Sequence, residues 1–336
     1  MNIGSVNTAS RVALIAEVGN NHEGSASRAE ELIEAAFAAG ADAVKLQTFV
    51  PELFVSREQT ERLEMLNRFS LPDEQLQLLL RKYGSRGLVV FSTPLDLVSL
   101  EQLSAAPLIK ISSGDITFAQ LIEATAQSRK DMILSTGAST LTEVRKAVDL
   151  VRSTWTREGH QGDLAVLHCV SAYPAPPHSL NLRAIQTIKE ALPEVSVGYS
   201  DHSLGIDAAI AAVAVGARII EKHFTLDRNQ SHYRDHQLSA DPLELALLRE
   251  RIDELECMLG PGDKRPSDAE EEMRTQIRRS VSVCRDLPVG HRLTNDDLCM
   301  VRPGNGLAPT QVDEVIGCTL RRSVSAGEIL MHSDIA

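Results

Sequence analysis

What the 336-residue chain lacks narrows the field before any motif is read. Its five cysteines, Cys169, Cys257, Cys284, Cys299 and Cys318, are odd in number and contain no C-x-x-C pair. Neither a disulfide framework nor a thiolate zinc site is expected, and buried free thiols are. No apolar run approaches the ~18 residues that a membrane span needs. An excess of basic residues is also missing: 34 Lys and Arg stand against 46 Asp and Glu, a net charge of -12. That balance argues against nucleic acid or an anionic membrane as partner, whereas an anionic small molecule needs only a local basic pocket. Residues 1–11 lack the basic start, apolar middle and cleavage site of a signal peptide, so the expected compartment is the cytoplasm. With 43% hydrophobic and 24% charged residues the composition is that of a globular protein, and the length predicts about two domains.

From residue 12 onward, short β-branched runs alternate with longer amphipathic stretches, the pattern of repeated β-α units on a parallel sheet. The runs fall at 12–17, 43–47, 88–92, 108–111, 132–135, 165–169, 195–199 and 219–223. Helical stretches such as 27–38, 141–153 and 242–259 separate them. Such a count within about 225 residues predicts a (β/α)8 TIM barrel, a fold of ~250 residues, with a doubly wound open sheet as the alternative. Barrel sites lie at the carboxyl ends of strands, and here nearly every run ends in polar residues. Glu17 closes the first run, Lys45 and Gln47 the second, and Thr93 follows the third. Ser113 and Asp115 follow the fourth, Ser171 the sixth, and Ser200, His202, Glu221 and His223 close the last two.

His202 and His223 are placed on adjacent strands about 4.8 Å apart, where two imidazoles can share one ion and leave positions for water and substrate. The alternative is a pair of hydrogen-bonded strand-end histidines. Lys45 and Lys110 sit inside strand runs, where a charge costs several kcal/mol unless it is paired or faces a site. They suit a phosphate or carboxylate pocket, a Schiff base, or a salt bridge to Glu17 or Asp115. Glu17 and Asp115 are candidate acid and base groups by position.

Gly260-Pro261-Gly262 and the charged stretch after it divide the chain into a catalytic barrel at 1–260, a linker at 261–279 and a small domain at 280–336. The last part holds a faint repeat, LPVGHRLTNDDL at 287–298 echoing VSAGEILMHSDI at 324–335, with Gly290, Leu293 and Asp297 matching Gly327, Leu330 and Asp334.

The strings IAEVGNNHEG (15–24), ADAVKLQTF (41–49), FSTP (91–94), KISSGD (110–115), ILSTG (133–137), SDH (200–202) and EKHFT (221–225) resemble the sialic acid synthase family. VRPGNG (301–306) resembles that family's antifreeze-like (SAF) domain. The resemblance implies a barrel followed by an antifreeze-like domain, a domain-swapped homodimer, and a divalent ion such as Mn2+ or Mg2+. It implies condensation of phosphoenolpyruvate with an N-acetylated amino sugar to a nine-carbon 2-keto sugar acid and phosphate. By position, His202 and His223 resemble the metal ligands, and Lys45, Gln47, Thr93, Lys110, Ser113, Ser171 and Ser200 the phosphoenolpyruvate pocket. Glu17 and Asp115 match the family carboxylates, Tyr173 and Asp235 fall where the sugar is held, and Arg302 where the partner's small domain reaches the acetamido group.

The chain also departs from the family pattern. Asp115 stands where many members have Glu, Ser171 replaces a frequent Asn, and Asn20 an apolar residue. HYRDH at 232–236 replaces the usual Gly-Pro-Asp, in the loop where the sugar is expected. N-acetylmannosamine, a diacetamido sugar and a phosphorylated sugar all remain open as acceptors. The other readings are a phosphoenolpyruvate-dependent synthase acting on a sugar phosphate, a Schiff-base aldolase, and an inactive carbohydrate-binding barrel.

Overall fold

The computed structural model describes residues 1–336, which form two compact units, Met1–Gly260 and Pro261–Ala336. In the first, eight parallel strands close into a barrel: β1 (Ala13–Gly19), β2 (Ala43–Thr48), β3 (Val89–Pro94), β4 (Leu108–Ile111), β5 (Asp131–Ser135), β6 (Leu164–Cys169), β7 (Ser196–Asp201) and β8 (Ile219–His223). Strand β8 pairs with β1 from Ile219 opposite Ala13 to His223 opposite Glu17, which removes the open edge a doubly wound sheet would keep. The chain is therefore a (β/α)8 barrel, as the eight apolar runs predict.

Each strand is buried on both faces, and this explains why the runs read as continuously apolar rather than alternating. The helices between them carry local stop and start signals. Thr140 and Glu143 form a capping box at the start of the helix Leu141–Arg157, and Ser25, Asp96 and Asp241 cap three others. No helix is long and apolar enough to cross a membrane.

The connection from β2 to β3 is the longest of the barrel. It contains the helices α1 (Pro51–Phe54), α2 (Thr60–Phe69) and α3 (Asp73–Ser85). Phe49, Val55, Leu66, Phe69 and Leu95 form an apolar cluster of their own there, separate from the main core. That cluster turns an excursion into a wall beside the strand ends.

In the second unit, residues 261–279 carry the helix Asp268–Ile277 and group with the part that follows. Antiparallel strands β9 (Ser280–Val283) and β10 (Leu298–Val301) lead into the two repeat copies. Leu287 pairs with Val324 across them. The Gly290 N–H bonds the Leu320 carbonyl and the Gly327 N–H the Val283 carbonyl, both at 2.8 Å. Both glycines adopt left-handed φ values, 79° and 81°, which favour a residue without Cβ. Leu293 and Leu330 are buried in one core, while Asp297 and Asp334 each cap a short helical turn and bind an arginine, Arg285 and Arg322. The repeat is thus an internal two-fold, each copy covering the other's apolar face.

Candidate active site

The strand register gathers the polar ends into one layer. Glu17 lies opposite Lys45 on one side and His223 on the other, and Glu221 lies opposite Ser200. Above them opens a cavity of about 1000 Å³. Of the residues singled out on the barrel, Glu17, Lys45, Gln47, Thr93, Lys110 and Ser113 line it. So do Ser171, Tyr173, Ser200, His202, His223 and Asp235. Asp115 does not: its carboxylate accepts a hydrogen bond from the Ser112 hydroxyl and is pushed up by burial, which that bond partly offsets. Arg302 lies in the second unit, exposed, just past β10.

A chain of charges runs across the floor. Lys45 Nζ is 2.9 Å from Glu17, 3.3 Å from the Thr93 hydroxyl and 3.5 Å from Glu221. Lys110 donates to both oxygens of Glu221 at 2.8 and 2.7 Å, and Ser200 donates to the same carboxylate at 3.0 Å. Gln47 bridges Asn20 at 3.0 Å to Glu17 at 2.8 Å. Burial pushes Glu17 above the usual carboxyl value, against the attraction of Lys45. Burial opposes the charge on Lys45, but Glu17 and Glu221 outweigh it and hold the ammonium on. For Lys110 burial wins over Glu221, and its pKa falls. Burial would raise Glu221 too, yet the two lysines hold it well below the carboxylate range.

Glu221 is the residue missed among the site candidates. The signal was available: it lies two residues before His223 in one strand and therefore shares its face. The wall made by α1 and α2 was also missed, although the long gap between the second and third runs marks an excursion there.

The hydroxyls converge because of one missing side chain. Gly137 N–H donates to Ser113 Oγ at 2.9 Å, and a Cβ at this glycine would lie 2.2 Å from Ser171 Oγ. Several buried polar atoms around the cavity have no hydrogen-bond partner in the protein: Asn20 Oδ1, Ser135 Oγ, His223 Nδ1 and Asp235 Oδ1. Such groups are costly unless a ligand, ion or water completes them.

His202 and His223 have ring centroids 5.3 Å apart, and Tyr173 packs on His202 at 4.2 Å. His202 Nδ1 is 2.8 Å from the Val170 carbonyl, which fixes this ring; burial works against its charge, but Cys169 and that carbonyl outweigh it and raise its pKa. Burial keeps His223 neutral, well below the ordinary histidine value. The two rings together could offer an ion two ligands, the rest coming from substrate and water; no group of three or more His, Cys, Asp and Glu side chains gathers to hold one.

Comparison with known proteins shows the family. The NeuB family model matches residues 32–264, and the SAF domain model residues 278–336. The N,N'-diacetyllegionaminic acid synthase of Legionella pneumophila is 38% identical over 337 residues, covering 96% of this chain and 94% of that protein. A pseudaminic acid synthase of Campylobacter jejuni is 32% identical, covering 99% of both. The crystal structure of an N-acetylneuraminic acid synthetase from Leptospira borgpetersenii superposes with a TM-score of 0.74 at 34% identity, covering 81% of this chain and 94% of that one. The chain belongs to the NeuB family and ends in a SAF domain. It is an enzyme, a transferase of the nonulosonic acid synthase kind.

Proposed function

We propose that the protein condenses phosphoenolpyruvate with an N-acetylated amino sugar, releasing phosphate and a nine-carbon 2-keto sugar acid. The observation that carries this reading is the pair of buried lysines, Lys45 and Lys110, at the floor of a cavity ringed by hydroxyls and sharing the carboxylate of Glu221. With Glu17 protonated, the four groups bear one net positive charge. An arriving anion strengthens that arrangement, because it favours the proton on Glu17 and the charge on Lys110. A Schiff base on Lys110 would have to break its contacts to both oxygens of Glu221.

In this reading Lys45, Lys110, Thr93, Ser113, Ser171 and Ser200 bind the carboxylate and phosphate of phosphoenolpyruvate. Gln47 orients Glu17, whose raised pKa lets it hold a proton and deliver it to the acceptor's carbonyl oxygen as the new carbon–carbon bond forms. Asp115, the second carboxylate, stands outside the cavity lining and acts on the water that adds at C2 through Ser112, whose hydroxyl it holds, before phosphate leaves. Tyr173 and Asp235 hold the sugar. A divalent ion, Mn2+ or Mg2+, held by His202 and His223, supplies Lewis-acid polarisation of that carbonyl oxygen. Arg302 contacts the acetamido group of the sugar in the other subunit of a homodimer, in the cytoplasm.

The test is incubation with phosphoenolpyruvate, manganese and a panel of amino sugars. Phosphate release that requires both substrates, with a product mass equal to sugar plus pyruvate, supports the reading; pyruvate release without a joined product contradicts it. For Arg302, chains lacking residues 280–336 are mixed with full-length chains inactivated at Glu17. Restored activity in the heterodimer supports contact across subunits, and its absence there refutes it.

A further inference from the structure

One corner of the cavity is assembled from three connections: the turn after β1, the excursion after β2 and the loop after β8. The first and third are tied together, because the Ser231 hydroxyl binds Glu23 and also accepts the Tyr233 N–H at 3.1 Å. The second joins through Phe69, whose ring meets Tyr233 edge-on at 5.0 Å. Tyr233 and Asn20 both line the cavity, and the Tyr233 hydroxyl sits among the side chains of Asn20 and Asp235. Asn20 is 3% exposed and Asp235 4%, and the Oδ1 of each lacks a hydrogen-bond partner. Asp235 Oδ1 lies 3.4 Å from Arg234 Nε and is the carboxylate beside the phenol, so the Asn20 Oδ1 is the acceptor left for a donor on the ligand. Beside them Phe54, Leu66 and Phe69 present an apolar wall.

A donor N–H next to a methyl group is what an acylamino substituent offers. A hydroxyl would use the acceptor but leave the apolar wall uncovered. A phosphate is opposed by the carboxylates of Glu23 and Asp235, and two of the three arginines lining the cavity are engaged, while Arg68 is exposed. Arg62 lies over Phe54 at 5.3 Å, while Arg234 lies over Tyr173 at 4.6 Å and pairs with Asp235 at 3.4 Å.

We propose that Asn20, Tyr233 and the Phe54, Leu66 and Phe69 wall form a subsite for a second acylamino group, so that the preferred acceptor is a neutral sugar carrying two such groups. This rests on the condensation reading above. The subsite selects the acceptor and takes no part in binding phosphoenolpyruvate.

The experiment measures kcat/KM for phosphate release with phosphoenolpyruvate and manganese, using a diacetamido mannose derivative, N-acetylmannosamine and N-acetylmannosamine phosphate. The wild type is expected to favour the diacetamido sugar by about tenfold or more. Losing one neutral hydrogen bond corresponds to roughly threefold to tenfold. Tyr233→Phe should lower kcat/KM for the diacetamido sugar by that factor, mainly through KM, with N-acetylmannosamine changed less than about twofold. Leu66→Asn should act in the same direction through the wall. Equal losses on both sugars, or a wild-type preference for the mono-acetylated or phosphorylated sugar, overturn the subsite alone. Absence of phosphate release with every sugar overturns the condensation reading and the subsite with it.

Discussion

Glu221 and Lys222 follow one another in β8, and each belongs to a buried ion pair on its own face of the strand. Lys222 pairs with Asp201 at 2.8 Å, both side chains at 0% exposure. Asp201 also accepts from Tyr199 and from the Ser203 N–H and hydroxyl, and Lys222 donates to the Ser203 carbonyl. The pair is closed. Glu221, by contrast, is shared between two ammonium groups and a hydroxyl, and it lines a cavity with unpartnered polar atoms around it. Both pairs carry a desolvation cost. The difference teaches that burial of charge alone does not mark a site; a charge left incompletely matched beside open space does.

The largest effect that would sharpen this contrast lies on the open face. Chelation, or His223→Ala, should remove essentially all phosphate release, because a Lewis acid supplies several kcal/mol of transition-state stabilisation. The fold should survive, since the histidines do not close a core. Full turnover by a metal-free preparation would break the assignment of His202 and His223.

On the closed face the loss should be in stability. Lys222→Met strands Asp201 without its counter-charge, a change worth about 3 to 5 kcal/mol in urea unfolding. Lys110→Met should cost less, since Lys45, Ser200 and water entering the cavity still solvate Glu221. Similar losses in the two variants would erase the distinction between the pairs.

A smaller effect comes from His22, which is 0% exposed and outside the ion-pair chain. Its Nδ1 accepts the Gly24 N–H, its Nε2 has no partner, and burial pushes its pKa down to about 4. Between the ordinary histidine value and 4 the unfolded chain binds more protons than the folded one, so stability rises with pH. The contribution, roughly 3 kcal/mol, is complete above about pH 6.5 and is lost progressively as pH falls to about 4. His22→Gln should flatten that part of the stability profile; parallel profiles would show that the ring is not sealed.

The two faces also differ in how much of each is legible in the sequence. Eight apolar runs with polar ends were enough for the barrel, because parallel strands buried on both faces leave a strong imprint. Lys45 and Lys110 stood out because a cation inside such a run has to face something. Their partners were less legible. The salt bridge from Lys45 to Glu17 was among the options, but the partner of Lys110 is Glu221, 111 residues away, and such a pairing depends on barrel closure. Asp201 and Lys222 read simply as polar strand-end residues, since nothing local says that one face of a strand opens onto a cavity and the other onto packed helices. The corner around Tyr233 depends on contacts between three separate connections, which strand and helix periodicity does not encode.

The most direct test of the account is a calorimetric titration of phosphoenolpyruvate into wild type, Lys110→Met and Lys222→Met, at a temperature where all three are folded. A charged hydrogen bond contributes about 1.5 to 3 kcal/mol, so affinity in Lys110→Met should fall by about tenfold or more, while Lys222→Met should bind as wild type does. Undiminished binding by Lys110→Met, or an equal loss in both variants, would contradict the claim that the open pair is there to receive the anion.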